Sequence, residues 1–186
     1  GVIRHNAQGG LIQTENQLDL AIEGRGYFVV NRPDGSQAFT RDGNFQLSAQ
    51  GQLVTLNGYE VEPAIVVPEL TRQVEINQFG VVMAYVENNP NPVELGQLNF
   101  ATFLNEAGLK PVGDNLMEQT SASGEAVQST PGTPGVGITR QGYLEQSNVN
   151  IIQQITDLIS AQRAYEMNSK AIETADQIMT TTNQIK

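Results

Sequence analysis

Apolar and polar positions alternate in short runs through the first hundred or so residues, and glycine or proline interrupts the alternation every few positions. Leu18-Asp19-Leu20-Ala21-Ile22 alternates apolar with polar or small residues, and Tyr27-Phe28-Val29-Val30 is a compact aromatic and β-branched run. Asp34-Gly35 separates it from Ala38-Phe39-Thr40, a β-hairpin pattern. The stretch from Asn31 to Ser36 makes that connection longer than the two-residue type, and Pro33 fits a loop because it cannot donate to a ladder. Asp42-Gly43 precedes Asn44-Phe45-Gln46-Leu47, Gln50-Gly51 precedes Leu53-Val54, and Asn57-Gly58 precedes Tyr59-Glu60-Val61. Strands of roughly four to six residues joined by glycine turns predict a small, curled antiparallel sheet system.

The pattern continues past Pro63 and Pro68, which bracket Ala64-Ile65-Val66-Val67. Val74 to Asn77 and Val81 to Val86 predict two strands joined by a turn at Gln78 to Gly80, and the NNPNP stretch at 88–92 predicts a loop. Leu98 to Phe103 alternates cleanly and predicts a half-buried strand. From 105 to 140 the periodicity is lost. Gly108, Gly113, Gly124, Gly132, Gly135 and Gly137, with Pro131 and Pro134, predict loops and short pieces there.

The period then changes. From Asn150 to about Thr182 the chain has neither Gly nor Pro. Ile151, Ile155, Leu158, Tyr165, Ile172 and Met179 recur at spacings of three, four and seven. Gln162, Ser169 and Asp176 hold the intervening seam positions, and Ile152, Ile159, Ala171, Ala175 and Ile178 lie alongside. This predicts a long amphipathic helix with a stripe wider than a minimal coiled-coil seam. Asn148 or Asn150 suits its N-cap, and Gln153 stands at capping-box spacing from Asn150. The fold class is therefore mainly β with a long C-terminal α-helix. The predicted divisions are an extended connector over 1–17, a strand-rich body over 18–140, a second connector over 141–149 and the helix over 150–186.

A stripe of that length demands cover. The strand-rich remainder offers no second long helix, so the expected cover is another chain or a segment preceding residue 1. The plain alternative is a helix folded back across the sheet.

Composition narrows the function. The chain has 186 residues, 39% of them hydrophobic and only 16% charged, and Asn, Gln, Ser and Thr supply much of the polarity. That balance suits broad surfaces making neutral hydrogen-bonded contacts. The net charge of -10 argues against nucleic acid and against anionic lipid as partners. No run approaches the ~20 apolar residues of a membrane span, so no direct membrane insertion is expected. Cysteine is absent, which excludes disulfides and thiolate metal sites.

Catalytic chemistry finds no foothold. His5 is the only histidine and sits in a polar stretch near the start. Asp34 and Asp42 precede glycines, where turn formation explains them, and no partner geometry makes them or Asp19 and Glu23 an acid–base pair. Gly24-Arg25-Gly26 lacks the lysine and serine of a phosphate loop and reads as a tight bend. Neither a cofactor nor a metal site is expected, and the chain reads as a structural assembly module, not an enzyme.

Several motifs carry a family resemblance. Leu18 to Val30 (LDLAIEGRGYFVV), Thr40 to Phe45 (TRDGNF), Ala49 to Val54 (AQGQLV) and Asn57-Gly58-Tyr59 follow one another in the order and spacing of the bacterial flagellar rod and hook proteins. Gln141 to Asn150 (QGYLEQSNVN), Ala161 to Ser169 (AQRAYEMNS) and Asp176-Gln177 extend the match into the helix. The chain resembles the flagellar basal-body rod family over nearly its whole length, with distal-rod members the nearest.

The resemblance implies a subunit exported through the flagellar type III apparatus to the periplasmic rod region of the basal body. There, copies polymerise into a hollow helical tube that transmits torque from motor to hook. It implies homo-oligomeric contacts, with proximal rod proteins, the hook protein and the basal-body rings as neighbours. Family members begin with a helical segment that pairs with the C-terminal helix in the inner tube, and this chain starts beyond it. The seven-residue seam and the lack of a second long helix to cover it make Ile151, Ile155, Leu158, Tyr165, Ile172 and Met179 the expected assembly residues of the core layer. The resemblance makes Asp19, Gly24, Gly26, Arg41, Gly43 and Asn148 motif positions that keep the fold. A proximal rod or hook subunit is the near alternative. A secreted β-rich binding module is the distant one, and it leaves the C-terminal stripe unexplained.

Overall fold

The computed structural model describes residues 7–87 and 89–184, the last five of these by backbone alone; His5 lies outside the described residues. In chain order the strands are β1 (Leu11–Gln13), β2 (Leu20–Glu23), β3 (Tyr27–Asn31), β4 (Gln37–Thr40), β5 (Phe45–Leu47), β6 (Leu53–Thr55), β7 (Glu60–Glu62) and β8 (Thr71–Ile76). They continue with β9 (Val81–Val86), β10 (Val93–Gln97), β11 (Phe100–Thr102), β12 (Lys110–Gly113), β13 (Leu116–Glu118), β14 (Val127–Ser129), β15 (Ile138–Gln141) and β16 (Tyr143–Glu145). One helix, α1 (Ile151–Gln184), follows. The chain divides into a body, up to Ser147, and a second unit from Asn148 onward that contains α1. The mainly β class with a long C-terminal helix is the class that the hydrophobic pattern predicts.

The body is organised on β3. One edge pairs with β4 through Phe28 to Asn31, forming the expected hairpin. The other edge is shared end to end: β11 pairs at Tyr27 and Phe28, and β7 pairs at Val29 to Asn31. Both faces of β3 are covered. Phe28 and Val30 enter the larger core with Leu20, Ile22, Phe45 and Phe100, while Tyr27 and Val29 enter a second cluster with Phe39, Phe103 and Leu109. Phe28 meets Phe45 and Phe100 edge-to-face, at ring-centroid distances of 5.0 and 5.3 Å. Such pairs add about 0.5–1.5 kcal/mol beyond the burial of their area.

One expectation is corrected here. Leu98 to Phe103 is not a half-buried strand: Leu98 and Phe100 fill the larger core while Ala101 and Phe103 fill the second, so the segment is buried on both faces. The stretch 105–140 consists of loops and short pieces, as its breakers predict. It contains β12, β13 and β14 and the start of β15, and Asp114 and Asn115 turn the β12–β13 hairpin at positive φ (52° and 58°). Asn and Asp tolerate that region better than other residues with a Cβ.

Glutamine amides close the edge of β8. Gln141 Oε1 accepts from Ile76 N–H (3.0 Å), and its Nε2 donates to the carbonyls of Val74 and Gln17 (both 2.8 Å). Gln17 Oε1 accepts from Val74 N–H at 3.1 Å. Side-chain amides thus take the role of a neighbouring strand, and an edge strand left bare is a template for association. Part of the polar composition therefore satisfies backbone groups inside the body.

The second unit is built on the helix itself. Asn150 caps it: its Oδ1 accepts from Ile152 N–H (3.1 Å) and Gln153 N–H (3.2 Å). The Gln153 amide reaches forward to Asp157 (2.9 Å). Its 34 residues rise about 50 Å.

Candidate assembly site

The motif residues of the body form a cluster in space. β2 turns into β3 through Gly24 and Gly26, and Arg41 follows directly after β4. The Arg41 guanidinium lies against that turn. Nη1 donates to the carbonyls of Gly24 (3.0 Å) and Gly26 (2.8 Å), and Nη2 donates to that of Ile22 (3.2 Å). Nε donates to Glu145 Oε2 at 2.8 Å, an ion pair mostly shielded from water. The same guanidinium stands 5.8 Å from the centre of the Tyr27 ring. A planar fork suits such a site, because one group must satisfy several acceptors in different directions.

Glu145 extends the cluster to the start of the described chain. Its Oε1 accepts from Gly9 N–H (2.9 Å), and Gln146 N–H donates to the Gly10 carbonyl (2.8 Å). Between these contacts β1 pairs with β16, Leu11 opposite Glu145 and Gln13 opposite Tyr143. Gln8 completes the clasp, its Oε1 accepting from Gly24 N–H (3.0 Å) and its Nε2 donating to Ile22 O (2.9 Å). The segments before β1 and after β16 are thereby held antiparallel, side by side, on the body. Both lie within stretches that the sequence reads as connectors.

Burial and the nearby Glu106 carboxylate push the Tyr27 phenol up to about 12, against the opposing pull of the Arg41 cation. The phenol stays neutral through the physiological range, so the cluster's charge is carried by its arginines and carboxylates.

Gly43 and Asp19 hold the other side of β2. A Cβ on Gly43 would lie 1.5 Å from the Leu20 carbonyl oxygen, so only glycine fits. Leu20 N–H donates to Gly43 O at 3.0 Å across that approach. Asp19 is buried, accepts from Asn16 Nδ2 (2.8 Å), and receives Gly142 N–H on its carbonyl (2.7 Å). Gly24 faces Gly137, whose Cα would be 2.9 Å from an added Cβ, and Gly26 faces the Phe100 ring. Five of the six motif positions thus surround β2. Asn148 lies exposed between β16 and α1, in the second unit.

The seam residues are all on α1. Ile151, Ile155, Leu158, Tyr165, Ile172 and Met179 are 52–77% exposed. Sequence reasoning missed Glu145 and Gln8 as clasp residues and Gln17 and Gln141 as the partners of β8. Glu145 and Gln141 lie within the QGYLEQSNVN block, which was the available signal; Gln8 and Gln17 had none.

Among the described residues, no group of three or more His, Cys, Asp or Glu side chains is placed to hold a metal ion. No described helix is long and apolar enough to cross a membrane.

By comparison with known proteins, the chain falls in the class of flagellar hook and rod proteins. Residues 21–84 match the family model described as the flagellar hook protein FlgE/F/G D1 domain, and residues 140–185 match the flagellar basal body rod FlgEFG protein C-terminal. The flagellar basal-body rod protein FlgG of Caulobacter vibrioides is 47% identical over 185 residues, covering 100% of this chain and 71% of that relative. FlgG of Bacillus subtilis is 39% identical over 171 residues (89% of this chain, 64% of that protein). The flagellar hook-basal body complex protein FlhP of the same organism is 30% identical over 189 residues (96% and 69%). The chain belongs to the flagellar basal-body rod protein FlgG family. It is a structural subunit of the distal rod of the flagellar basal body.

Proposed function

We propose that this chain builds the distal rod by polymerising with copies of itself into a hollow tube that carries torque toward the hook. The observation that carries the reading is the seam of α1, whose apolar residues stay 52–77% exposed along the helix. A second copy is the occupant that the proposal assigns to this seam, with Ile151, Ile155, Leu158, Tyr165, Ile172 and Met179 as the assembly core. Proximal rod proteins, the hook protein and the basal-body rings are its neighbours. The clasp of Arg41, Glu145 and Gln8 supports the torque role. It fixes both chain segments to the body through hydrogen bonds and an ion pair, so that load applied to one is shared by the other. The function is mechanical, and the clasp's charged groups serve geometry, not catalysis.

The combined substitution Ile155→Asp and Leu158→Asp places two charges in the seam, where desolvation opposes assembly. The variant is expected to fail to enter the rod while its body unfolds with the wild-type urea midpoint. Incorporation at the wild-type level would overturn the reading.

A further inference from the structure

We infer that the two halves of α1 carry apolar faces on opposite sides of the helix, and that the first-half face of one copy packs on the second-half face of the next. The inference rests on the self-assembly proposed above and deepens it. Five turns of an α-helix take about 18 residues, so positions 18 apart share a side. Ile152 and Ile155 therefore share a side with Lys170 and Glu173, while Gln154 and Asp157 share the other with Ile172 and Ala175. The apolar side of the first half becomes the charged side of the second, and the polar side becomes the apolar one. The exchange falls near Ser160.

Both faces are exposed: Ile152 and Ile155 on the first half, Ile172 and Ala175 on the second. A neighbour lying along one side of the whole helix would cover Ile152 and Ile155 only by also burying Lys170 and Glu173, and desolvation of those charges opposes that. Covering α1 therefore takes two neighbours, one on each half, on opposite sides.

The two faces complement each other, which makes a second copy the occupant of each. The first-half face is built of large branched residues: Ile151, Ile152, Ile155, Leu158 and Ile159. The second-half face sets Ala164, Ala171 and Ala175 between Tyr165, Ile172 and Met179. Neither face bears a charge, and large side chains opposite small ones let two helices interdigitate. Between parallel helices, an offset of 16 residues, about 24 Å along the axis, sets Ile155 on Ala171 and Ile159 on Ala175. A contact joining two different faces is heterologous. Each added copy leaves one first-half face and one second-half face open, so the row of helices grows instead of closing.

The chain has no cysteine of its own, so introduced thiols report the contact. Ile155→Cys and Ala171→Cys are made singly and together in the full-length protein, and the assembled material is treated with a short bismaleimide. The two positions of one helix lie too far apart, and on opposite sides, to be bridged within a chain. The double variant is expected to give a ladder of dimers, trimers and longer products, and each single variant none. Ile159→Cys with Ala175→Cys should give the same ladder, and serves where the first pair fails to assemble. Dimers from either single variant would show like halves meeting and overturn the contact. Assembled double variants that give no ladder would overturn it too, with self-assembly left standing. A full-length wild-type protein that never self-associates would overturn both.

Discussion

Glu145 is bound at both carboxylate oxygens by groups far away in the chain. Arg41 Nε donates to one at 2.8 Å across 104 positions, and Gly9 N–H donates to the other at 2.9 Å across 136. One side chain therefore joins the β2–β3 turn, the start of the described chain and the exit toward the helix.

Removing the guanidinium should loosen all three. Arg41→Ala leaves Glu145 without its cation and removes the guanidinium donors from the Gly24, Gly26 and Ile22 carbonyls, of which Ile22 keeps the Gln8 amide; it is expected to destabilise the body by about 3 kcal/mol. Arg41→Lys should recover little, because an ammonium cannot reproduce the fork. Urea midpoints of the two variants check this; recovery to near wild type by lysine would argue for charge alone.

Gly43→Ala should be far more damaging than a surface change. The added Cβ would lie 1.5 Å from the carbonyl oxygen of Leu20, the residue whose N–H donates to the Gly43 carbonyl. A loss on the order of 4 kcal/mol or failure to fold is expected. Gly35→Ala is the control: nothing lies within 4 Å of its Cβ, and only the φ of +81° opposes it. That change should cost about 1 kcal/mol.

Alkaline pH should weaken the body through Tyr27. Its folded pKa is raised from 10.0 to about 12, so the neutral phenol is favoured in the folded state. The stabilisation is fully present below pH 10 and is lost as pH rises toward 12. The urea midpoint of wild type should fall across that window, and Tyr27→Phe should remove this part of the fall. Identical pH profiles for the two proteins would show that the phenol does not contribute.

Gln141→Ala should uncover the edge of β8. The change removes an acceptor from Ile76 N–H and a donor from Val74 O. A loss of about 1–3 kcal/mol is expected, with a rise in aggregation that light scattering would detect.

The hairpin of β3 and β4 and the helix were legible because their signals are local: Asp34-Gly35 between two apolar runs, and a seven-residue seam free of Gly and Pro. The β12–β13 hairpin was missed because Asp114-Asn115 supplies its positive φ without a glycine at the turn centre, in a stretch crowded with breakers. Leu98 to Phe103 misled because alternation reports two faces and not what covers each; a second cluster built on Tyr27 and Phe39 covers the face expected to be wet. Of the candidate site, the motif glycines and Arg41 could be picked out one by one. Their convergence on Glu145 and Gly9 could not, because the β1–β16 pairing joins segments over 130 positions apart with no sequence signal linking them.

In the proposed rod, α1 is buried in the wall by copies of this chain. Electron cryomicroscopy of the full-length protein in an intact basal body tests this most directly. A tube is expected whose inner wall contains residues 150–182, with Ile155 and Leu158 against a neighbouring helix. Density placing this helix on the outer surface of the tube, with its seam facing solvent, would contradict it.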